Sequence, residues 1–469
     1  MNSFSKCATD NIELINKLVN SAQNFDVLQR KIKIAGKDAG LFFIDGFVQE
    51  DMVEKLIQFF YSLKEQDAAD IDTFLEMGMP YTEVESCKDV DKAVTAFLSG
   101  VTLLLIDGFE ECILIDCRTY PMRSVSEPWK DRVLRGSRDG FVETIVSNAA
   151  LLRRRIRDRN LCMEMFGVGS RSCSDVAVCY IKDKVDPEVL DKIKKRIESI
   201  EVEALTMNIE SLAECLFQYK WINPFPKYKY SERPDTATAA ILDGNIVIMV
   251  DNSPAVMIVP TSIFDVLEEP DDFNFSPLVG TYLRISRFVF TLITLVLTPV
   301  WLLLINNPSW VPDWMEFIKI TDDISVPVFF QLLLLEMAVD GLKLAAVNTP
   351  SMLSAPLSIT AGIIVGEYAV SSGWFNPESL LYMAVVTVGT YSQASFEMGY
   401  ALKFFRIFTL FLTNFFNVPG LVIGVIITFA CIIFNKTMTG MSYISPLYPF
   451  DAKMFRRKIL RVRLPHSYK

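Results

Sequence analysis

FVFTLITLVLTPVWLLLI, residues 288–305, decides the fold class of this chain. Its eighteen residues carry no charge. As a helix they reach about 27 Å, close to the roughly 30 Å hydrocarbon core of a bilayer. Four further apolar segments follow, at 326–347, 357–375, 380–394 and 404–434. The second half of the chain therefore reads as an α-helical transmembrane domain.

The flanks orient it. Arg284 and Arg287 precede the first run, whereas Asp313, Glu316, Asp322 and Asp323 follow it. Basic residues stay inside, which puts the preceding sequence in the cytosol and that loop outside. The tail carries Arg456, Arg457, Lys458, Arg461 and Arg463 and is also expected in the cytosol, which demands an even number of crossings. Five simple spans violate this. Either 326–347 is not a complete crossing, or the last segment breaks at Asn417-Val418-Pro419-Gly420 into two passes.

A length of 469 residues calls for at least two structural units, and 51% apolar residues with a mean hydropathy of +0.29 is high for a soluble chain. The net charge of −10 lacks the basic surface that supplies nucleic-acid affinity, so no nucleic-acid partner is expected. Nine cysteines without a CxxC pair read as reduced thiols, and the single histidine, His466, sits beside the C-terminus. That removes most zinc, iron and serine-hydrolase chemistry; no cofactor and no enzyme activity are expected.

The first half alternates strands and helices. AGLFFIDGF (39–47) reads as a buried strand closed by an Asp-Gly turn, followed by a helix over 52–63 with Asp51 as N-cap. VTLLLIDG and ECILIDCR (101–118) flank Asp107-Gly108, a hairpin signal. A helix over 140–159, a strand over 176–181 and a helix over 187–200 come next. A third hairpin spans 237–260, with turns at Asp243-Gly244 and Asn252-Ser253. The fold class is thus an α/β cytosolic domain of two subdomains followed by an α-helical transmembrane domain. The expected division is an extension over 1–24, subdomains over 25–160 and 161–283 joined by a linker near 161–174, the membrane domain over 284–435 and a basic tail over 436–469.

Glu336, Asp340 and Lys343 fall at i, i+4 and i+7 of one apolar segment and share a helical face. At about 3 kcal/mol per mid-membrane charge they cost about 9, against about 5 gained from the apolar residues around them. That face must meet water, a partner helix or a pore. An interfacial Asp340–Lys343 pair with a snorkelling Glu336 stands nearly level with a pore lining. Two negatives and one positive per chain would leave an acidic ring in an oligomer. Glu367 is a further pore candidate, and Glu397 reads as a helix-end carboxylate. The run Arg153, Arg154, Arg155, Arg157 and Arg159 crowds like charges and points to pairing between subunits or domains. Arg135, Arg138 and Asp139, with Glu232, Arg233 and Asp235, read as polar clamps or as members of such an interface. A GxxxxGK phosphate loop is absent from the sequence.

EPWKDRVLRGSRDGFVETIVSNAALLRRRIRD (127–158) closely resembles the signature of the GerA-family spore germination A subunits. SERPDTATAAILDGNIVIMVDNSPAVMIVP (231–260) is similar to the family's second block, in the same order before the apolar half. FDVLQRKI (25–32), NTPSML (348–353) and SPLYPFDAKMF (445–455) most resemble its stage V sporulation branch. The resemblance implies a ring-shaped homo-oligomer in the spore inner membrane, in contact with lipid, passing monovalent cations to trigger or amplify germination. It also implies another small or multi-span germination membrane protein as partner. A nonconducting scaffold, and a receptor A subunit relaying a germinant signal, are the alternatives it leaves.

Overall fold

TLLLI and IVIMV are buried at every position because each is the middle strand of a sheet with helices on both faces. The computed structural model describes residues 3–19, 21, 27–44, 47–119, 127–128, 131–158, 160–217, 223–322, 324–349, 356, 359–360, 362–435, 437, 440 and 442–462. The Asp45-Gly46 turn, Arg159, Asp323, residues 350–353, Arg463 and His466 lie outside the described residues. Residues 1–124 and 125–469 form two compact units.

The first unit opens with α1 (Ala8–Leu18) and the hairpin β1 (Val27–Ile34) and β2 (Lys37–Ile44). It continues through α2 (Glu50–Phe60), α3 (Ile71–Met77), β3 (Val84–Cys87) and α4 (Val90–Leu98) to a second hairpin, β4 (Thr102–Ile106) and β5 (Cys112–Ile115). The antiparallel sheet has the order β1-β2-β4-β5-β3. Ile12, Ile15, Val90 and Phe97 cover one face against Leu103 and Leu105; Leu56, Phe60 and Phe74 cover the other against Leu104 and Ile106. The expected Asp107-Gly108 turn is present, with Gly108 at φ +91°. Gln49, not Asp51, stands at the N-cap of α2.

The second unit repeats this order: α5 (Ile145–Arg155), β6 (Leu161–Val168), β7 (Ser174–Ile181), α6 (Pro187–Glu198), α7 (Ile209–Leu216), β8 (Lys229–Ser231), α8 (Pro234–Leu242), β9 (Ile246–Val250) and β10 (Val256–Val259). Its sheet, β6-β7-β9-β10-β8, has the same relative strand order. The likeness extends to single hydrogen bonds. Asp107 in the β4–β5 turn accepts the Ala8 N–H at 3.0 Å, and Asp251 in the β9–β10 turn accepts the Ile145 N–H at 3.1 Å, each capping the helix that opens its unit. Asn11 and Asn148, both buried, exchange paired bonds with the backbone of the residue six positions earlier, Ser5 and Val142 respectively. The α/β half is therefore two structurally equivalent subdomains.

This duplication corrects three expectations. Residues 8–18 are not part of an extension but α1, which packs Ile12 and Ile15 on the first sheet. Residues 161–174 are not a linker but β6 and its turn, and α5 belongs to the second subdomain because Ile145, Leu151 and Leu152 pack on that sheet. Residues 237–242 are helical, not a strand. Pro234 at the first helical position and an alanine-rich sequence favour α8, Gly244 at φ +95° ends it, and the hairpin turns at Asp251–Ser253 instead.

Short helices α9 (Ile263–Val266) and α10 (Asp271–Asn274) lead into α11 (Pro277–Asn306), α12 (Val328–Asn348), α13 (Pro377–Tyr391), α14 (Phe396–Ile433) and α15 (Ala452–Ile459). A π-helical segment, Gly362–Tyr368, precedes α13. α11 and α14 are long and apolar enough to cross a membrane. At Asn417 (φ +55°) α14 reverses, so the break expected at 417–420 is present. Asparagine tolerates that backbone better than most residues. The two arms then pack closely: a Cβ on Gly424 would lie 2.7 Å from Thr409 Oγ1. The first arm runs beside α11, and the Asn307 and Asn417 amides bond at their common far end. The second arm returns to the α/β subdomain, where Asn223 donates to the Cys431 carbonyl at 2.8 Å. The Ile263 N–H bonds the Tyr443 carbonyl at 2.9 Å, so the tail and the second subdomain share one end of the bundle.

Candidate functional site

α12 turns Glu336 and Asp340, one turn apart, toward α14. Glu336 is only 2% exposed. Arg406 Nε donates to its Oε1 at 2.7 Å, and Lys403 Nζ lies 3.1 Å from its Oε2. Lys403 also meets Asp340 Oδ2 at 2.5 Å, while Arg406 donates to the Thr294 carbonyl of α11 at 2.9 Å. Three helices are thus tied by one buried network. A buried carboxylate without a partner would cost several kcal/mol, about the magnitude the neighbouring cations offset.

This overturns part of the sequence reading. Glu336 neither snorkels nor faces an aqueous path within the chain; it is sealed between helices. Two carboxylates meet two cations, so the acidic excess expected from α12 alone vanishes. Lys343 adds a positive charge instead, with its ammonium over the rings of Tyr391 and Tyr400 at 4.7 and 5.3 Å. Lys403 and Arg406 were the residues missed. Arg406 is the only charged residue in the run 404–434, and that isolation was the available signal. Glu367 lies on the π-helical segment and is exposed, beside the exposed Ile363, Ile364 and Tyr368. Glu397 sits in the first turn of α14, where a carboxylate suits the helix dipole.

A second network stands where α11 leaves the α/β subdomain. Asp272, fully buried, receives Arg284 Nε at 3.3 Å and Arg287 Nη1 at 3.0 Å. Arg284 also pairs with Glu268, and Arg287 with Glu269 at 2.7 Å. Lys458 of α15 bonds Asp265, and Lys229 Nζ donates to the Asp265 and Glu268 carbonyls at 2.9 and 2.8 Å. Burial pushes Lys229 below its ordinary value. For Lys458 the same burial is outweighed by Asp265 and Glu268, which hold it above the ordinary value. Four cations and four carboxylates balance here and fix subdomain, first helix and tail to one another. The arginines read from sequence only as a cytosolic flank are thus structural keystones, and their partners were legible in LEEPDD (267–272).

The interface candidates divide. Arg233, fully buried, forks onto Asp235 at 3.0 and 2.6 Å and donates to the Asp131 and Ser137 carbonyls at 3.1 and 2.9 Å. Arg155 meets Asp139 at 2.6 Å, and the Glu232 carbonyl accepts the Phe141 N–H at 2.8 Å. These bonds hold the 131–141 loop to the second subdomain, and Arg155, Asp139, Arg233 and Asp235 are paired inside it. Arg153 caps nearby carbonyls of Asp158 and Leu161. Arg135, Arg138 and Arg154 are exposed, and Arg154 and Arg157 line an open basic depression of about 480 Å³ with Ser137, Asp139 and Arg155.

Exposed aromatic side chains collar both ends of the bundle: Trp310, Trp314 and Trp374 at the far end, Tyr282, Tyr448 and Phe450 beside the subdomain. Such belts mark the two interfaces of a bilayer. Among the described residues no group of three or more His, Cys, Asp or Glu side chains is placed to hold a metal ion.

Residues 13–469 match the family described as Bacillus/Clostridium GerA spore germination protein. Over 97% of its length the chain is 34% identical to stage V sporulation protein AF of Bacillus subtilis (strain 168), covering 92% of that protein. It is 27% identical to spore germination protein KA of the same organism, over 98% of this chain and 85% of the other. With spore germination protein GerLA of Bacillus cereus it shares 26% identity, over 93% and 90%. It also matches the crystal structure of the N-terminal domain of the A subunit of the Bacillus megaterium spore germinant receptor GerK3, at 24% identity over 55% of this chain and 96% of that one, with a TM-score of 0.22. The chain belongs to the GerA family of spore germination proteins.

Proposed function

We propose that the chain is one subunit of a ring-shaped ion channel in the spore inner membrane, with both α/β subdomains and the tail in the cytosol, releasing monovalent cations during germination. The observation that carries this reading is the exposure of Glu367. Its carboxylate stands on the segment 362–368, whose other exposed side chains, among the described residues, are Ile363, Ile364 and Tyr368. Facing lipid there would cost roughly 3 kcal/mol. Several copies around a hydrated axis remove that cost and supply a ring of negative charge that favours cations. The uncovered second half of α12, with Gly341, Leu344 and Val347 exposed, supports a neighbouring copy at the same level. The stage V protein and the germination proteins it resembles support the setting.

Purified protein in potassium-loaded vesicles should release potassium faster than empty vesicles do, and Glu367→Gln should slow the release. Silent vesicles, together with a monomer by native mass measurement, would overturn the proposal. A nonconducting scaffold is favoured by one observation, the closure of Glu336 within the chain. That reading predicts spores carrying Glu367→Gln with unchanged ion efflux.

A further inference from the structure

α15 lies against the first turns of α11. Arg461 N–H bonds Thr281 Oγ1 at 3.1 Å, its guanidinium reaches the Phe273 carbonyl at 2.5 Å, and Arg284 caps the Arg457 and Lys458 carbonyls at 3.0 and 3.3 Å. Phe455 sits 6.1 Å from Phe264, whose ring is 5.8 Å from Phe288, the first residue of the long apolar run. The tail helix is therefore held at the level where α11 passes from its polar turns into its apolar stretch. Its inward side spends Lys458 on Asp265. The outward side differs. Lys453 and Arg456 are exposed and Arg457 is half-exposed, and none of the three makes an ion pair among the described residues. Beside them Tyr448, Phe450 and Met454 are 71, 67 and 51% exposed.

A merely solvated face would not interleave cations with exposed aromatic side chains. The α11 helix that holds it carries its own exposed stripe, Leu278, Tyr282, Ile285, Val289 and Leu292, spaced every three or four residues along the helix read as a span. We propose that residues 447–461 form an interfacial anchor for anionic phospholipid: Tyr448, Phe450 and Met454 enter the acyl boundary while Lys453, Arg456 and Arg457 meet phosphate headgroups. The inference rests on the membrane reading of α11, and not on ion conduction.

The test uses the full chain in nanodiscs with a reporter Met454→Trp, read against the parent protein. The probes are brominated phosphatidylglycerol and brominated phosphatidylcholine at the same fraction. At roughly fivefold per cation, quenching should favour the anionic lipid by an order of magnitude or more. The triple variant Lys453→Gln, Arg456→Gln, Arg457→Gln should lose that preference while still being quenched by both lipids. With Lys453, Arg456 and Arg457 intact, equal quenching of the Met454→Trp reporter by the two lipids would overturn the proposal, as would no quenching by either, which would mean that water or protein covers the face. Failure of the chain to enter nanodiscs would instead sink the membrane reading itself.

Discussion

Arg406 Nε lies 2.7 Å from Glu336 Oε1, with both side chains almost wholly excluded from solvent. Removing one partner strands the other in the apolar interior. Glu336→Leu should therefore destabilise the chain by about 3–5 kcal/mol, and adding Arg406→Met should restore part of that loss. Thermal unfolding in detergent measures both; a single variant as stable as the parent would show that the network carries no weight.

Arg233 is the corresponding keystone of the second subdomain, with four hydrogen bonds and no solvent exposure. Lysine keeps the charge but not the fork. Arg233→Lys should cost about 2–4 kcal/mol and speed amide exchange across residues 131–141. The β6–β7 hairpin should exchange as before.

Two glycines in the helical half make opposite predictions. A Cβ on Gly420 would sit 1.9 Å from the Leu412 carbonyl oxygen, so Gly420→Ala should disrupt the α14 reversal and lower the yield of folded protein. A Cβ on Gly341 would meet nothing within 4 Å, and Gly341→Ala should be neutral or stabilise the monomer by up to about 1 kcal/mol. Monodisperse yield on size-exclusion chromatography separates the two.

The tail pair Asp265–Lys458 sets a pH window. Burial alone would raise Asp265, but Lys458 and Ser262 outweigh it and hold the carboxyl below its ordinary 3.8. Its contribution is present above 3.8 and is lost as the pH falls through the lower folded value. Lys458 is raised, so its share is full below the ordinary 10.5 and lost as the pH rises through the higher folded value. Lys458→Met should thus weaken tail attachment by about 1–3 kcal/mol across the neutral range, with the difference from the parent shrinking at both extremes. Proteolysis of the tail against pH reads it out.

Much of this was legible in the sequence, because uninterrupted apolar runs mark strands covered on both faces and helices long enough to cross a membrane. β4, β5 and the reversal at Asn417 follow from TLLLI, CILI and the Asn-Val-Pro-Gly break. α8 did not, since Asp243-Gly244 signals a hairpin turn and a helix end equally well, and only packing of Ala237 and Ile241 on the second sheet decides between them. The partners of Glu336 were also hidden. Charge pairing across helices depends on which faces meet, and Lys403 and Arg406 lie some 70 residues from it along the chain. The internal duplication escaped for a related reason: it is written in strand order and in a few isolated matches, Asp107 with Asp251 and Asn11 with Asn148, whose equivalence shows only in the bonds they make.

Imaging single particles of the full chain in lipid nanodiscs tests conduction by an assembly most directly. The prediction is a closed ring with a continuous axial passage and Glu367 bordering it. A monomer, or a ring whose axis is filled while Glu367 points outward into lipid, would contradict it.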